Sequence, residues 1–135
     1  MPVLPTCLAL ILCDEVVHHP GTGKSDFVGA FWDIQIPSFP GRTGPFTVWV
    51  ALVNGAGRVP MRLRIELLPD RLEEELVVDI RFTMEFPDPR VVRMYLGRVD
   101  GLDLASPGRY RVTLTAHDLT LVQGYFIAKQ TKPLR

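Results

Sequence analysis

Pro107-Gly108-Arg109-Tyr110-Arg111-Val112-Thr113-Leu114-Thr115-Ala116-His117-Asp118-Leu119-Thr120-Leu121-Val122-Gln123-Gly124-Tyr125-Phe126 reads as a β-hairpin, the one stretch in which strand, turn and return strand are all marked. Tyr110, Val112, Leu114 and Ala116 alternate with Arg111, Thr113 and Thr115, the period of two that a strand with one oily face requires. Pro107-Gly108 turns the chain into the strand, because proline fixes φ and glycine accepts positive φ; His117-Asp118-Leu119-Thr120 sends it back.

The same alternation recurs upstream. Val91 to Val99 places Val92, Met94 and Leu96 on one face and Arg93 and Tyr95 on the other. Leu76, Val78, Ile80, Phe82 and Met84 alternate between Glu75 and Glu85, stopped by Pro87-Asp88-Pro89, and Met61 to Leu67 alternates with Arg62, Arg64 and Glu66. Arg71 to Glu75 has room for one helical turn. Phe46 to Val53 is almost wholly apolar and ends in the Asn54-Gly55-Ala56-Gly57 turn, so both of its faces are expected to be covered. Pro37 to Pro45 is a proline- and glycine-rich loop, with an extended segment before it from Phe27 to Ile36 and a bulge at Gly29-Ala30. Thr6 to Val17 reads as one strand, oily on both faces, and Lys129 to Arg135 as a frayed basic tail.

About seven to eight short strands with turn-rich links predict an all-β fold: an antiparallel two-sheet β-sandwich, immunoglobulin-like, in a single domain spanning residues 1–135. The expected core is Val48, Val50, Leu52, Leu63, Ile65, Val78, Ile80, Phe82, Tyr110, Val112, Leu114 and Phe126. The 12 prolines and 11 glycines are spread along the chain, as many turns require.

Composition narrows the function. Fifteen basic residues balance fifteen acidic ones, so there is no broad field to attract nucleic acid or an anionic membrane. The apolar run Cys7 to Cys13 is too short to span a membrane and lacks the flanks of a signal peptide. Cys7 and Cys13 in one extended strand lie too far apart to bridge, and two free thiols suit a reducing cytoplasm.

His18-His19-Pro20-Gly21-Thr22-Gly23-Lys24-Ser25 ends as phosphate-binding loops end, with amides, a lysine and a hydroxyl. The apolar run before Asp14 and Glu15 imitates a magnesium-holding strand. Against this, His18 stands where the first glycine belongs, and Phe27-Val28 continues as strand rather than as the helix whose N-terminus meets the phosphate. Cys13, Asp14, His18 and His19 match no zinc spacing, and no nucleophile, base and acid can be placed together. The expectation is a protein that is not an enzyme, with no metal and no cofactor.

Cys13-Asp14, the Thr22-Gly23-Lys24 turn, Gly29-Ala30-Phe31-Trp32-Asp33-Ile34, the Phe39-Pro40 loop and Pro107-Gly108-Arg109-Tyr110, in that order, resemble an uncharacterised family of small bacterial proteins known only as a domain of unknown function. The resemblance implies a bacterial all-β domain without an assigned activity.

Two functions are carried forward. One is a non-catalytic protein-binding or scaffold module, docking a protein partner or a second copy through a sheet face centred on Trp49. In Phe46 to Val53 the set Phe46, Val48, Val50 and Leu52 is opposed by Trp49, Ala51 and Val53, so Trp49 needs either an internal cover, such as the first strand folded across it, or a partner. The alternative is a small-molecule or phosphate-binding protein using the Gly21 to Ser25 turn, through Thr22, Gly23 and Lys24, with Asp14 or Asp33.

Overall fold

Alternating side chains build the larger sheet. The computed structural model describes residues 2–68 and 75–131, and the strands in chain order are β1 (Thr6–Cys13), β2 (Glu15–His19), β3 (Lys24–Val28), β4 (Asp33–Ile36), β5 (Gly41–Arg42), β6 (Phe46–Val53), β7 (Gly57–Leu68), β8 (Glu75–Phe86), β9 (Arg93–Val99), β10 (Asp103–Leu104), β11 (Gly108–Ala116) and β12 (Leu119–Gln130). Val59, Met61, Leu63 and Ile65 of β7 are buried, and β11 answers them with Ala116 opposite Met61, Leu114 opposite Leu63 and Val112 opposite Ile65. The hairpin partner β12 lies on the other side of β11, β8 lies outside β7, and the order is β4-β12-β11-β7-β8. The return turn is the pair His117-Asp118, both at positive φ (48° and 64°), the twist that matches a two-residue hairpin to its strands.

A three-stranded sheet, β1-β6-β9, faces it. Phe46, Val48, Val50 and Leu52 of β6 are buried in the same core as Leu63, Val112, Leu114 and Phe126. Phe46 meets Phe126 edge-on at 6.5 Å between centroids, and Tyr95 of β9 stacks on Phe82 of β8 at 3.9 Å. Each fully buried Val, Leu or Phe contributes roughly 1.5–3 kcal/mol by leaving water, so this shared core is the main stabilising term. Tyr110, wholly buried, keeps its hydroxyl satisfied by donating to the Ser106 carbonyl at 2.8 Å. Two ribbons complete the fold, β2 with β3 and β5 with β10, and one of the sheets curls into a half-barrel.

The fold is all-β, with several sheets, twelve strands and no helix among the described residues, where about seven to eight strands were expected. The expected strand Thr6 to Val17 is two strands: the chain leaves the three-stranded sheet at Asp14, and Glu15–His19 pairs with β3 instead. The expected segment Phe27 to Ile36 is also divided, because Gly29 at φ 67° makes a turn rather than a bulge and carries the chain from the ribbon to the five-stranded sheet. There β4 runs parallel to β12, so the sheets are not purely antiparallel. Inside the Pro37 to Pro45 loop, Gly41–Arg42 pairs with β10, and the Phe39-Pro40 bond is cis.

Nine of the twelve expected core residues are buried; Val78, Ile80 and Phe82 are half-buried because β8 is an edge strand that pairs on one side only among the described residues. Lys129 and Gln130 belong to β12, with Lys129 Nζ 3.4 Å from Asp33, so the basic tail begins later than expected. The helical turn expected at Arg71 to Glu75 falls, up to residue 74, outside the described residues, as does the end of the tail at 132–135.

Candidate functional site

Register defines the outer face of the three-stranded sheet. Trp49 on β6 stands opposite Ile11 on β1 and Leu96 on β9, and Ala51 stands opposite Ala9 and Met94. These side chains point away from the core that Val48 and Val50 enter, so β6 is apolar on both faces, as its sequence requires. Its outer cover is the ribbon, not β1, which lies beside β6 as a sheet neighbour. Val16 and Phe27 pair across the ribbon, and the Phe27 ring meets Trp49 edge-on, 4.8 Å between centroids at 70°. Ser25 Oγ reaches Met94 Sδ at 3.9 Å.

The cover is partial. Trp49 is half-buried and its indole Nε1 is buried without a hydrogen-bond partner among the described residues, while Leu96 is 51% exposed, Met94 37% and Leu8 56%. Leu8 sits at the register shift of β1, between Cys7 and Ala9. Exposed apolar side chains therefore remain on both edge strands beside Trp49, Leu8 on β1 and Leu96 and Met94 on β9. Large exposed apolar patches on a folded chain mark association surfaces.

The turn at the ribbon's tip has a different character. Thr22, Gly23 and Lys24 are exposed, but the Thr22 and Gly23 amides both donate to the His19 carbonyl, at 3.2 and 2.8 Å, and the Lys24 amide donates to Thr22 Oγ1 at 3.3 Å. The donors that would cradle a phosphate are engaged in making the turn, and Lys24 opens β3 rather than a helix. Asp14 lies at the other end of the ribbon, its amide donating to the Val28 carbonyl at 2.9 Å and its carboxylate packed against Gly29. The structure thus separates Asp14 from Thr22, Gly23 and Lys24. It does bring Asp14 and Asp33 to one open cavity of about 270 Å³, with Phe31, Thr43 and Phe46.

His19 Nε2 lies 2.6 Å from Asp26 and His18 Nδ1 lies 3.3 Å from Ser25 Oγ, both pairs across the ribbon. Among the described residues no three His, Cys, Asp or Glu side chains are grouped to hold a metal. Cys7 and Cys13 are free at the two ends of β1; burial raises both thiols above their ordinary pKa, so they stay protonated and weakly nucleophilic at neutral pH. Sequence reasoning singled out Trp49 but missed Phe27 as its cover and Leu96 and Met94 as its neighbours. The signal was present in β9, where Tyr95, Gly97 and Val99 take the core side and turn Met94 and Leu96 outward.

The model of a family of unknown function, DUF6941, matches residues 8–124, from β1 into β12. The chain belongs to that family. No curated protein matches the sequence. Among solved structures, beta-glucosidase 3B from Thermotoga neapolitana is similar in its complexes with glucose (13% identity) and with glycerol (12% identity), each at a TM-score of 0.47 over 88% of this chain. The chain spans 16% of the length of that enzyme.

Proposed function

We infer that the protein is a non-catalytic binding module that docks a protein partner on the outer face of its three-stranded sheet. The observation that carries this reading is the Ile11, Trp49, Leu96 row, which the ribbon covers at Trp49, reaching Met94 through Ser25, and leaves half-exposed at Leu96. The scaffold beneath it is read as an immunoglobulin-like two-sheet sandwich, the five-stranded sheet backing the three-stranded one, with both ribbons as additions. A protein partner suits an apolar face on a chain whose formal charge is zero better than nucleic acid or a membrane surface does. Cytoplasmic residence goes with that reading, supported by the two unbridged thiols.

Leu96→Glu tests it. Leu96 is half-exposed and faces away from the core, so the variant keeps its unfolding free energy within about 0.5 kcal/mol of wild type. Capture of the partner by the immobilised protein is abolished. A variant that folds and captures as wild type does refutes the proposal.

A further inference from the structure

β8 is a 12-residue edge strand. It pairs with β7 on one side; on the other, among the described residues, no backbone hydrogen bond outside the strand ladders involves it. Unpaired strand edges recruit further strands unless they are short, bulged, interrupted by proline, covered, or lined with charge that repels the incoming strand. β4, at the opposite edge, is protected by its length of four residues. β1 carries an irregularity at Leu8. In β8 the irregularity is near the start, around Val77, and Pro87 lies past the end, which leaves the stretch from Val78 to Phe82 regular and open.

We propose that β8 pairs with β8 of a second copy, antiparallel about a two-fold axis at Ile80, joining two five-stranded sheets edge to edge. The order Asp79-Ile80-Arg81 dictates the register. A two-fold axis at Ile80 sets Asp79 opposite Arg81 of the other copy, and Arg81 opposite its Asp79. It also sets Ile80 opposite Ile80 and Val78 opposite Phe82, and each side chain keeps its own face of the joined sheet. Centring on Arg81 would instead oppose two guanidiniums. Asp79 already accepts from Arg62, at 2.7 Å to each carboxylate oxygen, and retains lone pairs for a second donor; Arg81 has no ion-pair partner among the described residues. Half-buried Val78, Ile80 and Phe82 gain the neighbour that an edge position denies them. The free edge of β9 offers no equivalent, since its charged residues are Arg93 and Arg98 alone.

The test is charge complementation in the full chain. Wild type sediments as a reversible monomer–dimer mixture at concentrations up to roughly 1 mM, a range that includes weak association. Arg81→Glu sets a glutamate against Asp79, Asp79→Lys sets a lysine against Arg81, and each weakens the homodimer roughly tenfold. An equimolar mixture of the two variants restores association, because the lysine introduced in one copy then meets the glutamate introduced in the other, and the native Arg81 of the first meets the native Asp79 of the second. Hydrogen exchange on wild type supplies a readout free of substitutions: the β8 amides that β7 leaves unengaged gain protection as concentration rises. A wild type that stays monomeric throughout, variants that associate as wild type does, a mixture that fails to recover, or β8 amides indifferent to concentration would each overturn the proposal. Leu96→Glu lies on a different surface and leaves this association unchanged, so failure of the docking face and failure of this edge are told apart.

Discussion

Leu114 is fully buried in the central strand of the larger sheet, between Leu63 on β7 and Val122 on β12. Leu114→Ala empties most of a side-chain site enclosed on both sides, and denaturant unfolding should show a loss of about 2–5 kcal/mol. Ile80→Ala, half-buried on the edge strand, should cost clearly less in the same measurement. Paired surface carboxylates behave differently. Asp79 is held below the usual carboxylate range chiefly by its hydrogen bonds from Arg62, and Asp88 likewise by Arg90. For a depressed carboxylate the unfolded chain binds more protons than the folded one, so its stabilisation is present above the ordinary value of 3.8 and is lost as pH falls through the folded pKa. Carbon-detected titration of the two carboxyl groups should place both midpoints below 3.8, and midpoints at or above that value would remove the ion pairs from the account.

At the scale of single elements, the hairpin β11–β12 turns on two residues, neither of them glycine, held at positive φ. His and Asp tolerate this conformation less well than Asn-Gly, the preferred pair for such a turn. Replacing His117-Asp118 by Asn-Gly is expected to stabilise the protein by about 0.5–1 kcal/mol in thermal or denaturant unfolding. Strands such as β7, β8 and β11 were legible in the sequence because each buries one face, and Met61-Leu63-Ile65 or Tyr110-Val112-Leu114 writes that asymmetry as a period of two. The ribbon's turn was legible in Pro20 to Lys24, a glycine-rich break between two strands, but the separation of its strands from their neighbours was not. The Asp14-Glu15 pair interrupts the apolar run where the chain changes partner, but two polar residues do not by themselves say that the strands on either side join different sheets, and Gly29 carries the second change of direction in one backbone angle. Parallel pairing of β4 with β12 joins residues far apart in the chain, as Asp33 with Ile127, and no local pattern encodes that.

For the molecule as a whole, the two sheets share one core, and the surfaces left over decide the function. The outer face of the larger sheet carries Arg62, Arg64 and Arg111 with Asp79 and Glu66, Arg62 to Asp79 and Arg111 to Glu66 forming ion pairs at 2.7 and 3.6 Å. The outer face of the smaller sheet carries Trp49, Leu96 and Met94, and among the described residues the ribbon covers part of it. Trp49 was visible in the sequence as a large side chain on the wrong side of a buried strand; its half-cover by Phe27 was not, because the two are brought together only by the ribbon folding back. Trp49→Ala should therefore loosen the ribbon as well as any docked partner, and exchange of the β2 and β3 amides would quicken while the β11 amides stay protected. The docking face itself is tested most directly by a photo-crosslinking side chain placed at position 96, compared with the same group at exposed Gln123 on the larger sheet. The account predicts a discrete adduct with a partner from position 96 and none from 123; no adduct from 96, or equal adducts from both positions, would contradict it.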